Sequence, residues 1–298
     1  MSITVVGSVA LDTVETPAGR NEEGLGGAAT YFSLSAAHYA QVHLVGVVGE
    51  DFPQAHVDLL QAHGIHLEGL ERVPGRTFRW AGRYHEDVNE RDTLDTQLNV
   101  FENFHPRLPE PAREAPYLFL GNIHPSLQLE VLNQANPVFT ALDTMNLWID
   151  TTREELSQVL ARTDAIIIND AEVKQLTGRA NLIRGAQEVA ALGPRVVVVK
   201  KGEHGCLLFA GGTVFSAPAF PLENVVDPTG AGDAFAGGFM GFIAQKNRLD
   251  TATLRQAVIH GSVVASFVCE DFGPAALAAL TAEGIAGRFE EFKALVDF

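Results

Sequence analysis

Residues 225–241 read Val-Val-Asp-Pro-Thr-Gly-Ala-Gly-Asp-Ala-Phe-Ala-Gly-Gly-Phe-Met-Gly, and no other stretch restricts the fold of this chain as tightly. Asp227-Pro228-Thr229-Gly230 carries turn chemistry, because proline presets φ and glycine accepts backbone angles closed to other residues. From Ala234 onward the residues are small or apolar, as a buried helix packed closely against its neighbours requires. Gly230, Ala231 and Gly232 therefore stand where a loop becomes a helix, with free backbone N–H groups and a dipole that favours negative charge. Almost no side chain covers them, so an anion can approach that backbone closely. Asp233 adds a carboxylate in the first helical turn. Capping would explain an Asp there. An anion cradle beside a general base would instead suit phosphoryl transfer to a hydroxyl, with the backbone stabilising the transferred group and Asp233 taking the proton. The residues by themselves leave both readings open.

Around this stretch the chain alternates strand and helix. Ile3–Val6, Val42–Val47, Tyr117–Leu120, Val138–Leu142, Ala165–Ile168, Arg195–Lys200 and Cys206–Phe209 are short apolar runs, separated by helical stretches such as Pro53–His63 and Thr251–Val268. Repeated β-α units predict a mostly parallel sheet covered on both faces, with its site beyond the carboxyl ends of the strands. Asp12, Asn122, Asp143 and Asn169 fall at or just past such ends. Gly26-Gly27 precedes a small-residue helix and lets backbone approach a ligand or another strand. Asn169-Asp170-Ala171-Glu172 opens a helix closed by Gly178, which a capped start with an acidic first turn also explains. Lys200-Lys201-Gly202-Glu203-His204-Gly205 is a tight turn whose lysines, in an acidic chain, suit a phosphate.

Thr13–Leu25, broken by Pro17 and Gly19, reads as an exposed excursion, and Arg76–His85 as an amphipathic strand. Together they predict a small sheet over the site, a lid that excludes water. Glu86–Asp95 reads as charged and exposed. Arg76, Arg79, Arg83 and Arg91 could contact a phosphorylated acceptor, although a solvated strand face accounts for them. His85 and His105 lack partners at metal-ligand spacing.

A chain of 298 residues accommodates one large α/β domain or two smaller ones. No repeat, low-complexity tract or second core is visible, so a single domain over 1–298 is expected, with lid segments near 13–25 and 74–105. The net charge of −16, from 37 acidic and 21 basic residues, argues against a broad nucleic-acid or anionic-membrane surface, though not against a local anion site. The two cysteines, Cys206 and Cys269, lack any paired spacing. No signal peptide or membrane-spanning apolar run is visible, and a cytoplasmic protein is expected. No Walker loop and no complete Gly-x-Gly-x-x-Gly occurs, which counts against the P-loop and dinucleotide-dependent oxidoreductase readings.

The run Asp227–Asp233 resembles the signature of the ribokinase-like (PfkB) carbohydrate kinases. Further motifs follow in family order: Gly26-Gly27 before a helix, Gly46-Val47-Val48-Gly49-Glu50-Asp51, Asn169-x-x-Glu172 and the Lys200–Gly205 turn. The resemblance covers nearly the whole chain. It implies a ribokinase-like α/β three-layer sandwich, with a mostly parallel central sheet and a small β lid. The implied activity is ATP-dependent phosphorylation of a primary hydroxyl on a small sugar-like acceptor. Under that resemblance Gly230, Ala231 and Gly232 form the anion hole, and Asp233 is the base. Asp12, Gly26, Gly27, Tyr31 and Asn122 bind the acceptor, while Lys200, Gly202, Gly205 and Ser262 border ATP. His260 and Gly261 stand with Ser262 where relatives wall the adenine pocket. Asn169 and Glu172 organise Mg2+, largely through water, which a lone carboxylate permits because magnesium keeps several waters. The resemblance also allows a monovalent cation such as K+ at Asp227 and neighbouring carbonyls, and a homodimer through the lid.

Two positions depart from the family pattern. Ala40 stands where a helix-ending glycine is common, and Tyr31 where ribokinases usually carry a sugar-binding Asn. An aromatic ring offers a flat apolar face with one polar tip. That favours a nucleoside or cyclic-polyol kinase of the same fold, unless Tyr31 points into the core. The rival from another class is a non-catalytic sugar- or nucleotide-binding regulator, against which the complete Gly-Ala-Gly-Asp segment argues.

Overall fold

Side chains along a strand point alternately to opposite faces, and in this chain they fill two separate cores. Ile3, Val5, Phe119, Ile167 and Val198 enter one, and Val6, Leu120, Ile168, Val197 and Val199 the other. Strands apolar on both faces need helices on both sides, which makes their sheet the middle layer of three. The computed structural model describes residues 1–297.

In chain order the strands are β1 (Ser2–Val6), β2 (Ala10–Thr16), β3 (Gly19–Gly26), β4 (Gln41–Gly49), β5 (Ile65–Val73), β6 (Phe78–Tyr84), β7 (Arg91–Gln97), β8 (Tyr117–Leu120), β9 (Phe139–Leu142), β10 (Ala165–Asn169), β11 (Val196–Lys200), β12 (Cys206–Ala210) and β13 (Thr213–Ala217). Nine of them form one sheet in the order β13-β12-β11-β10-β9-β8-β1-β4-β5. It is parallel from β11 to β5, and β12 and β13 extend it antiparallel. The second sheet, β3-β2-β6-β7, pairs β2 with β6 in parallel and its outer strands antiparallel. The ribokinase-like architecture with its small covering sheet is therefore present. Among the described residues no helix is long and apolar enough to cross a membrane.

The helix Ala231–Lys246 is buried along most of its length between Ala28–Ala36 and Thr251–Val268. Its small residues make that possible: a Cβ on Gly238 would stand 3.1 Å from the Gly261 Cα. Substitution by even one methyl group would push these helices apart.

Several boundaries differ from the sequence expectation. Asp12 lies inside β2, not in a loop after the first strand. The strand expected at Val42–Val47 continues to Gly49, so Gly46–Gly49 belongs to β4. Part of the charged segment at 86–95 forms β7, whose side chains are almost all exposed. With neither face buried, no apolar alternation marks it, and its backbone pairing with β6 defines it instead. β5 and β13 were likewise not anticipated.

Candidate active site

The loop-to-helix junction is built as its composition demands. Gly230 caps the helix at φ 78°, in the left-handed region, and its carbonyl accepts the Ala234 N–H at 2.8 Å. Asp227 holds the preceding turn: its two carboxylate oxygens accept the Thr229 N–H at 2.8 Å and the Gly273 N–H at 3.1 Å. That is the geometry of a turn-closing carboxylate, and it adds no support for a monovalent cation at Asp227. Tyr31 is 2% exposed, and a Cβ on Gly230 would overlap its ring. The aromatic residue thus packs under the turn. Burial first, then Asp12, Asp227 and Asp233, hold its phenol well above the ordinary value.

Beside the junction lies a cluster of charge. A Cβ on Gly232 would fall 2.9 Å from Lys200 Nζ, which places the ammonium over the first helical turn. Lys200 ends β11 and reaches Asp143 Oδ2 at 3.6 Å, just past the end of β9. Burial alone would lower the Lys200 pKa, but Asp143, Glu172 and Asp233 outweigh it and hold the group above its ordinary value. Burial also raises Asp143, against the pull of Lys200. Asp233 retains some solvent contact, yet burial and the neighbouring Asp143 push its pKa to about 7, against Lys200 and Arg91. Glu172 is pushed to about 7 by the same two causes.

Asn169 and Glu172 form a full capping box: Glu172 N–H donates to Asn169 Oδ1 at 2.8 Å, and Asn169 N–H to Glu172 Oε2 at 2.9 Å. One Glu172 oxygen is therefore committed to the backbone. Asp143, Glu172 and Asp233 present three carboxyl groups to one half-buried ammonium, an excess of acidic groups that suits a divalent cation. The donor set, with one Glu172 oxygen outside the capping box, is chemically compatible with a hydrated Mg2+.

Asp12 and Gly26 stand on the paired strands β2 and β3. The Asp12 carboxylate rests against Gly26, where a Cβ would overlap it. Burial pushes Asp12 to about 7; the Gly27 N–H opposes this, and Asp227 and Asp233 add to it. Asn122 follows the end of β8, with its Oδ1 accepting the Trp148 Nε1–H at 2.9 Å. Trp148 and His124, which meet edge to face at 5.0 Å, had no signal in the sequence beyond being aromatic.

On the other side of Gly232, a cavity of about 500 Å³ is lined by Lys200, Gly202, Gly205, Gly232, Phe235 and Ser262, among others. His260 does not join that wall. It stacks between Phe242 and Phe289 at 4.1 and 4.7 Å in the core, and burial lowers its pKa to about 4. Helix periodicity explains the split, since residues two apart on a helix face different ways. Sequence reading also passed over Asp143, noted only as a strand end, and Arg91, set aside as a solvated arginine.

Comparison with known proteins places this geometry. The family model for the pfkB family carbohydrate kinases matches residues 2–280. Cytidine kinase of Thermococcus kodakarensis is 31% identical over 246 residues, which cover 80% of this chain and 87% of that protein. Among solved structures, Burkholderia thailandensis nucleoside kinase in complex with inosine superposes with a TM-score of 0.81 at 22% identity, covering 98% of this chain and 99% of that one. An Escherichia coli protein classed as a ribokinase II, in complex with ATP and Mg2+, gives a TM-score of 0.77 at 18% identity and 99% coverage of both chains.

Proposed function

Because this chain belongs to the pfkB family of carbohydrate kinases, and is thus a phosphotransferase with an alcohol acceptor, we propose that it moves the γ-phosphoryl group of ATP to the primary hydroxyl of a nucleoside. The observation that carries the chemistry is the meeting of Lys200 with the bare helix start at Gly230–Gly232. The acceptor class is taken from the resemblance to cytidine kinase along most of both chains.

In this reading ATP occupies the cavity beside Phe235 and Ser262, with its phosphates toward Lys200 and Gly232. The nucleoside lies under the small sheet, its sugar hydroxyls gripped by Asp12 and the backbone near Gly26 and Gly27. Asn122 presents its amide N–H groups to the acceptor, because its oxygen is held by Trp148. The acceptor oxygen attacks the γ-phosphorus while the bond to the β-phosphate oxygen breaks and ADP leaves. Asp233 receives the hydroxyl proton, and a carboxylate near 7 is well matched to that task at neutral pH. The N–H groups of the turn and Lys200 stabilise charge on the transferring group. Mg2+, held through water by Asn169 and Glu172, would neutralise charge on the triphosphate.

An ADP-release assay across cytidine, uridine, adenosine, inosine, ribose, fructose and inositol tests the proposal. The expected ranking puts a nucleoside at least about tenfold above the free sugars in kcat/KM, the scale set by loss of one buried polar or stacking contact. A free sugar or polyol at the head of the ranking would remove the nucleoside assignment. No turnover with any acceptor would favour a binding protein.

A further inference from the structure

The hairpin of β6 and β7 reaches beyond the acceptor side. Its tip is a built turn: Asp87 Oδ1 accepts both the Asn89 N–H at 2.9 Å and the Asn89 side-chain amide at 3.0 Å. This commits the Asn89 nitrogen and leaves its oxygen to lie against Gly202, where a Cβ would overlap it. Val88 and Asn89 line the same cavity as Lys200, Gly202 and Gly232. The small sheet therefore supplies one wall of the pocket on the nucleotide side.

The stem of the hairpin is anchored as well. Thr229 donates its hydroxyl to the Tyr84 hydroxyl at 3.2 Å, and Tyr84 is the register partner of Arg91. Of the four arginines singled out in this region, Arg79 pairs with Asp51 and Glu23 at 2.9 and 2.8 Å, Arg83 with Glu15 at 2.8 Å, and Arg76 approaches Asp51 at 4.0 Å. Arg91 alone of the four has no ion-pair partner among the described residues. Its guanidinium lies 5.3 Å over the Trp80 ring. Together with Lys200 it is a cation that opposes the upward shift of the Asp233 and Glu172 pKa values.

We propose that this hairpin is a nucleotide-binding element in its own right: Val88 and Asn89 complete the wall of a nucleoside-triphosphate pocket, and Arg91 adds a second positive charge for the phosphates. The assignment rests on the kinase reading for the identity of the ligand. Nucleotide alone, with no acceptor present, would then hold the hairpin down.

The test uses the full chain with a non-hydrolysable ATP analogue and Mg2+. Hydrogen exchange is followed at residues 85–91, and analogue affinity is measured by calorimetry in wild type, Asn89→Ala, Arg91→Ala and Arg91→Lys. The analogue alone is expected to slow exchange across the tip. Arg91→Ala should weaken analogue binding about tenfold or more, as loss of a charged hydrogen bond does, with partial recovery in Arg91→Lys and acceptor KM within about twofold. Arg91 is exposed, so its replacement leaves the fold intact. Protection that appears only with acceptor, or analogue affinity within about twofold of wild type in both alanine variants, overturns the proposal. A wild-type protein that binds no analogue defeats the kinase reading itself.

Discussion

Replacing Gly230 by alanine strains the turn in two separable ways. The residue sits at φ 78°, where an L side chain costs about 1–2 kcal/mol. The new methyl group also points into the Tyr31 ring, which is 2% exposed and cannot retreat into solvent. Forcing a methyl group into filled space costs about 1–3 kcal/mol. The two together amount to roughly 2–5 kcal/mol, and the loop, held by a few hydrogen bonds to Asp227, Tyr84 and the Cys269 carbonyl, yields before the core does. A shift of about 1 Å at Ala231 and Gly232 would cost about a hundredfold in kcat. Urea unfolding and steady-state kinetics on Gly230→Ala measure both effects. The steric part is isolated by a double-mutant cycle with Tyr31→Leu, which removes the ring face. A coupling of about 1–3 kcal/mol is expected, because the overlap exists only when both side chains are present. An additive cycle, or a Gly230→Ala protein with undiminished kcat, would refute the argument that ring and turn define one another.

Asp233→Asn should lower kcat by about 10²–10⁴-fold with nucleotide affinity within a few-fold. In wild type, proton acceptance requires the carboxylate, whose pKa is about 7, so kcat/KM should fall as pH drops below that value; the acid limb should lose one proton's worth of slope in the Asn variant. If the limb is unchanged, Asp233 is not the base. Glu172→Gln should raise the Mg2+ concentration needed for half-maximal rate, and an unaltered titration would reduce Glu172 to its capping role.

What could be read from the sequence follows the physics of each signal. Buried strands such as Tyr117–Leu120 are marked by unbroken apolar runs, and the Thr251–Val268 helix was found end to end. The Asn169–Glu172 capping box needs only residues three apart, and it was legible too. Strand β7 was not, because a strand with both faces in water carries no periodic signal. Tyr31 shows a different limit. Its type pointed to contact with an acceptor, with burial in the core as the alternative, and only the tertiary approach of Gly230 places the ring under the anion turn. Asp143 and Arg91 matter through neighbours distant in sequence, so nothing local distinguishes them from a strand end or a solvated arginine.

Three carboxyl groups facing one half-buried ammonium would also govern which ionic species can enter. The cleft sits in a chain of net charge −16 and has acidic groups at its centre, so an uncomplexed triphosphate would meet repulsion there. A divalent ion travelling with the nucleotide lessens that repulsion and balances Asp143, Glu172 and Asp233 at the same stroke. On the proposed kinase reading, the site would therefore favour the metal–nucleotide complex before any shape is read. Free nucleotide in excess of metal should compete poorly, whereas a shortage of metal should starve the enzyme even when ATP is abundant.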